Sequence, residues 1–105
     1  MQSLLKYIFG NVPKGLQNLP IEYVKYAFEP RECHEAHIDG LAKSFEIHGM
    51  PPIYIKPNGT LIDGIYRMEA ARRLGRSHVP CHIGNFRPKQ IARLNAGWVA
   101  LDEGV

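Results

Sequence analysis

The sequence predicts an α+β fold, a single compact domain in which a small mixed β-sheet is packed with helices. Three observations lead there. The chain has 105 residues, room for one core and not for two. One long segment carries apolar residues at a helical period, while several short runs are β-branched or aromatic. These two kinds of segment alternate, separated by Gly and Pro.

In order, Ser3 to Phe9 reads as a short amphipathic helix, with Ser3 as N-cap and Gly10 as terminator. Asn11 to Pro20 reads as a Gly-, Asn- and Pro-containing loop. Ile21 to Tyr26 is β-prone and ends before Pro30. Ile38, Leu41, Ala42 and Phe45 share one face of a helix over Ile38–His48, which Gly49 and Pro51-Pro52 stop. Ile53–Lys56 and Thr60–Ile62 are strands joined by Pro57-Asn58-Gly59. A helix over Ile65–Leu74 ends at Gly75, a strand covers Val79–Ile83, and Pro88 opens a helix over Lys89–Asn95. Residues 1–20 are then an N-terminal helix and loop, 21–97 the folded domain, and 98–105 a tail.

Composition bounds the function. The formal charge of +3 is a mild basic bias, suited to anionic partners but below what a DNA-coating protein carries. Two cysteines, Cys33 and Cys81, make neither a disulfide framework nor a zinc ribbon. With no secretory leader and no apolar run of membrane-spanning length, the expectation is a cytoplasmic protein without a membrane partner. His34, His37, Cys81 and His82 are a weak zinc pattern, and helix-entry polar residues are the default reading, so no metal is assigned.

The segment that carries chemistry is Asp63-Gly64-Ile65-Tyr66-Arg67. A strand runs into a helix through a glycine, so unpaired N–H groups point outward at the positive end of a helix dipole. Such an end takes anions. Gly64, lacking a Cβ, lets a phosphate approach, and Arg67, one turn later, is placed to grip phosphate oxygens. The plainer alternative is a capping Asp63, a tight turn at Gly64 and a solvated Arg67.

Wider context favours the anion. Pro30-Arg31, Leu41-Ala42-Lys43-Ser44 with Gly49, Pro52-Ile53-Tyr54-Ile55, Gly64-Ile65-Tyr66-Arg67-Met68-Glu69-Ala70-Ala71, Gly75 and Val79-Pro80 follow one another in order. Together, from Glu29 to Ile83, they resemble the N-terminal domain of the ParB family in the ParB/sulfiredoxin-like superfamily. The resemblance implies a phosphate or nucleotide pocket built from Arg31, Ser44, Gly49, Asp63, Gly64, Ile65, Tyr66, Arg67, Asn85 and Arg87. It implies a nucleoside triphosphate, CTP or ATP, with Mg²⁺, a plasmid or phage setting, and DNA or a protein as further partner. Gly84 stands where the family places an acid. Sulfiredoxins carry a cysteine inside the turn; Ile65 fills that place here, which removes their nucleophile. Partition proteins continue into a helix-turn-helix domain, so the expectation is a stand-alone domain.

Three functions fit these residues. The first is a nucleotide- or DNA-associated regulatory module. The second is a small-substrate kinase, phosphohydrolase or nuclease, with Glu29, Glu32, Asp63 or Glu69 as base. The third is a protein-binding scaffold that has lost its ligand. Gly84 weighs against the second and the intact turn against the third.

Overall fold

The computed structural model of the protein describes residues 14–27 and 34–102, with side chains as far as residue 96. Strand β1 (Gly15–Pro20) leads into a 3-10 turn at Ile21–Tyr23. Helix α1 (Glu35–His48), strand β2 (Ile53–Ile55), strand β3 (Leu61–Asp63), helix α2 (Ile65–Arg73), strand β4 (His78–Ile83) and helix α3 (Pro88–Asp102) follow. The sheet order is β1-β4-β2-β3. β4 pairs antiparallel with β1 and parallel with β2, and β2 pairs antiparallel with β3, which makes the expected mixed sheet.

The first strand lies elsewhere than the sequence suggests. Ile21–Tyr26, with its β-prone side chains, does not form one; the strand is Gly15–Pro20, inside the segment read as loop. Its residues have weak strand preferences, and a full six-residue antiparallel ladder with β4 recruits them regardless. Ile21, Tyr23 and Val24 instead turn inward and close one end of the core. The Ile21 N–H still donates to the Ser77 carbonyl at 2.9 Å, one rung past the ladder.

Other boundaries move less. α1 starts three residues ahead of Ile38, and α3 runs on past Asn95 into the expected tail, as far as Asp102. The returning strand is Leu61–Asp63 because Thr60 is taken up by a bridge to Lys25. α2 closes at Gly75 as expected: the Gly75 N–H donates to Arg72 O and the Arg76 N–H to Ala71 O, a Schellman motif with Gly75 at φ 71°. Pro80 is tolerated in the central strand because pairing with β2 begins only at Cys81. The expected Ser3–Phe9 helix and the docking of Trp98 fall outside the described residues and side chains.

Two apolar clusters hold these elements. Leu19, Ile53, Ile55, Val79, Cys81 and Ile83 line one sheet face and receive Met68 and Ala71 from α2. On the far side of α2, Ala70 meets Ile38, Leu41, Ala42 and Phe45 of α1. All four apolar residues expected on the α1 face are therefore buried. Arg73 adds an ionic tie, pairing with both Glu35 and Asp39.

Phe45 is 1% exposed. Phe45→Ala is expected to cost about 3–5 kcal/mol and Leu41→Ala about 2–5 kcal/mol, read from urea denaturation. Burial pushes the Cys81 thiol up from 9.0 to about 12. The unfolded thiol ionises first, so this contribution is intact below about pH 9 and is lost as pH climbs toward 12, by up to about 4 kcal/mol. Stability measured between pH 9 and 11 should fall with pH, and the slope should flatten in Cys81→Ala.

Candidate functional site

The β3–α2 junction is shaped by close approach to β2. Gly64 is the N-cap of α2, at φ 115° and ψ 28°. A Cβ there would sit 2.8 Å from Ile53 Cγ2, so glycine is required by packing as well as by the backbone. The sequence reading assigned the missing Cβ to an approaching phosphate; the structure fills that space with Ile53. Asp63 is exposed, and its Oδ1 accepts the Gly64 N–H at 3.0 Å.

Above this glycine, α2 begins uncapped. Its first internal bond runs from the Met68 N–H to the Gly64 carbonyl at 2.9 Å. The N–H groups of Ile65 and Tyr66 precede that bond and have no partner within the helix. Gly64 supplies no side-chain cap, and the first turn holds no acidic residue. The positive end of the helix dipole is therefore not offset by its own side chains.

Arg67 lies in this first turn but is not a solvated cation. It is 8% exposed, and its Nη1 donates to the Pro52 carbonyl at 2.8 Å. One arm of the fork is thus committed to the backbone just before β2. This bond brings the Gly49–Pro52 loop to the turn. Gly49 caps the end of α1 at φ 84°, its N–H on the Phe45 carbonyl. Ser44 is half-buried on α1. Arg31 lies outside the described residues, as do Glu29, Glu32 and Cys33.

Tyr66 points toward the start of α1, where the rings of His34 and His37 meet it edge-on at 5.7 and 5.1 Å. The weak zinc pattern does not assemble. Cys81 is in the core beside Met68, whereas the next residue, His82, stacks on Tyr54 on the opposite sheet face. Glu69, a candidate base, accepts from the Tyr26 hydroxyl at 3.1 Å and pairs with Arg72 at 3.6 Å, so its position is structural.

Asn85 and Arg87 are exposed in the loop before α3. Gln90 Oε1 accepts the Arg87 N–H at 2.8 Å and so fixes the helix entry at Pro88. These residues line an open depression with Lys89. A second hollow of about 210 Å³ lies at the turn, lined by Tyr26, Ala27, Leu61, Ile62, Asp63, Gly64 and Ile65. The two share no lining residue. Tyr54, which sequence reading passed over, lines neither but adjoins both segments. Its hydroxyl lies in the fields of Arg67 and Asp63, and its ring meets the Phe86 edge at 5.6 Å. Only the cross-strand pairing of Tyr54 with Asp63 reveals this, and no local pattern signals it.

Two substitutions test the frame of the turn. Gly64→Ala should lose about 1–3 kcal/mol through backbone strain alone, with a further loss against Ile53. In an Ile53→Leu background, which lacks Cγ2, the further loss should shrink. Arg67→Ala strips the Pro52 carbonyl of its donor and should cost about 1–3 kcal/mol by chemical denaturation.

No protein-family model matches the chain. No curated protein matches it either. Solved structures do. Sulfiredoxin from Arabidopsis thaliana superposes with a TM-score of 0.63 at 20% identity, over 74% of this chain and 93% of that one. The C-terminally truncated chromosome-partitioning protein ParB from Caulobacter crescentus, complexed with CTP-γ-S, gives 0.59 at 21% identity over 76% of this chain. The same protein complexed to the centromeric parS site gives 0.62 at 24% identity over 80%. The chain spans about half the length of those ParB structures, 49% and 47%. Among the described residues no helix is long and apolar enough to cross a membrane. On this structural likeness, the chain has the ParB/sulfiredoxin-like fold.

Proposed function

We propose that the chain binds a nucleotide by its phosphates at the Gly64–Arg67 turn and acts as a regulatory or DNA-associated module. The observation that carries this is the uncapped start of α2. Its N–H groups are unused within the helix, no acidic side chain stands in the first turn, and a buried guanidinium lies beside them. All of these favour negative charge. Arg67 acts through its field and by fixing the turn. The fold itself is one in which a solved ParB is complexed with CTP-γ-S.

Phosphate is held here chiefly by the protein. Asp63 already accepts the Gly64 N–H, and the described residues include no cluster of three or more His, Cys, Asp or Glu side chains. The donors of the turn suit phosphate oxygens better than a cation, and Mg²⁺ would come with the nucleotide. DNA is the second partner in this reading. Arg87, Lys89 and Arg93 are exposed at the start of α3, with Lys89 and Arg93 four residues apart on one face.

A thermal-shift panel of CTP, ATP and pyrophosphate, with and without Mg²⁺, tests the site. At a hundredfold excess over Kd a ligand stabilises by about 2.7 kcal/mol, and no shift with any of them ends the reading. Product formation at ~1–100 s⁻¹ would replace the module with a phosphoryl-transfer enzyme. DNA affinity should fall with salt at a log–log slope of about −3 for three phosphate contacts. No DNA binding at low salt would point to a protein partner.

A further inference from the structure

Tyr54 sits at the centre of β2, between two core residues, Ile53 and Ile55, that face α2. Strand alternation sends its side chain to the opposite sheet face. There it shares a face with Asp63 across the antiparallel pair and with His82 across the parallel pair. Its ring is well packed. His82 stacks on it at 5.7 Å, Phe86 meets its edge at 5.6 Å, and His82 and Phe86 meet each other at 4.8 Å.

The hydroxyl is different. Tyr54 is 1% exposed, yet its oxygen has no hydrogen-bond partner among the described residues. A buried phenol normally finds one, since an unmade bond costs stability. The ionic groups acting on it are Arg67 and Asp63, the two that frame the Gly64 turn. Arg67 carries only donors, and Asp63 Oδ1 takes the Gly64 N–H. Burial also raises the phenol above its ordinary value, so it keeps its proton at neutral pH. The unpartnered phenol, the N–H groups of Ile65 and Tyr66 and the nearby guanidinium are all donors. The one carboxylate described among them is that of Asp63, and it already accepts the Gly64 N–H, so the phenol and the helix N–H groups suit the oxygens of an incoming phosphate.

We infer that Tyr54 is a ligand-binding residue whose hydroxyl donates a hydrogen bond to the phosphate bound at the Gly64–Arg67 turn. This rests on the anion site proposed above. It adds that the sheet face, and not the helix end alone, reads the ligand. Because Phe86 packs on the same ring, the contact also joins the turn to the loop that carries Asn85 and Arg87.

Tyr54→Phe is the test, because it keeps the ring contacts and removes only the hydroxyl. The ligand-free variant should be as stable as the parent or more so, since the oxygen it loses is unpartnered. Its affinity for pyrophosphate and CTP, measured by calorimetry, should fall about tenfold, the loss of roughly one hydrogen bond. If the parent binds these probes and the variant binds them equally well, the inference fails and the anion site stands. If neither probe, nor ATP, binds the parent, both fail. A ligand-free variant that is clearly less stable would show that the hydroxyl has a structural partner, and would also overturn the inference.

Discussion

The bond from Arg67 to the Pro52 carbonyl is the constraint on which the candidate site depends. It ties the first turn of α2 to the residue just before β2, across fifteen positions of sequence. Gly64 makes the same junction tight from the other side by resting against Ile53. Between them the helix start cannot slide relative to the sheet. The N–H groups are therefore held in place before any ligand arrives, and preorganisation of this kind reduces the cost of binding. A buried cation is costly to desolvate, and a bound anion would offset part of that cost.

The same helix is pinned at its other end. Arg73 pairs with Glu35 and Asp39 at the start of α1, while Ala70 packs among Ile38, Leu41 and Phe45. The exposed ion pairs add little stability, and the apolar contacts carry the energy. The pairs do set orientation: they place the His34–His37 edge of α1 against Tyr66. The basic side chains of this half of the chain thus divide by role. Arg67 is an internal strut, Arg73 a surface tie between α2 and α1, Arg72 lies over the Tyr26 ring at 5.7 Å, and Arg87, Lys89 and Arg93 remain outward.

Much of the fold was legible because its signals are local. The period of Ile38, Leu41 and Phe45 marks α1, and Gly75 marks the end of α2. The strand–glycine–helix junction, which marks the candidate site, is legible for the same reason. What stayed hidden depends on partners distant in sequence. Gly15–Pro20 becomes a strand only because β4 offers a free edge, and Ile21–Tyr23 turns inward because a core end needs closing. Arg67 read as solvated or ligand-facing because nothing nearby in sequence announces the Pro52 carbonyl. Tyr54 read as an ordinary strand residue because its isolation is a property of the folded interior.

The position of β4 between β1 and β2 has a consequence for how the molecule can be made. β1 is among the first described segments to leave the ribosome, but its ladder partner ends at Ile83. The parallel pairing of β2 waits for the same six residues. Until they emerge, the hairpin of β2 and β3 is the one strand pairing of this sheet that can close. Closing the first ladder means spanning most of the chain, a slow kind of contact. During synthesis, then, β1 has no sheet partner until β4 emerges, and the short β2–β3 hairpin is marginal on its own, so the sheet is completed only when the last strand arrives.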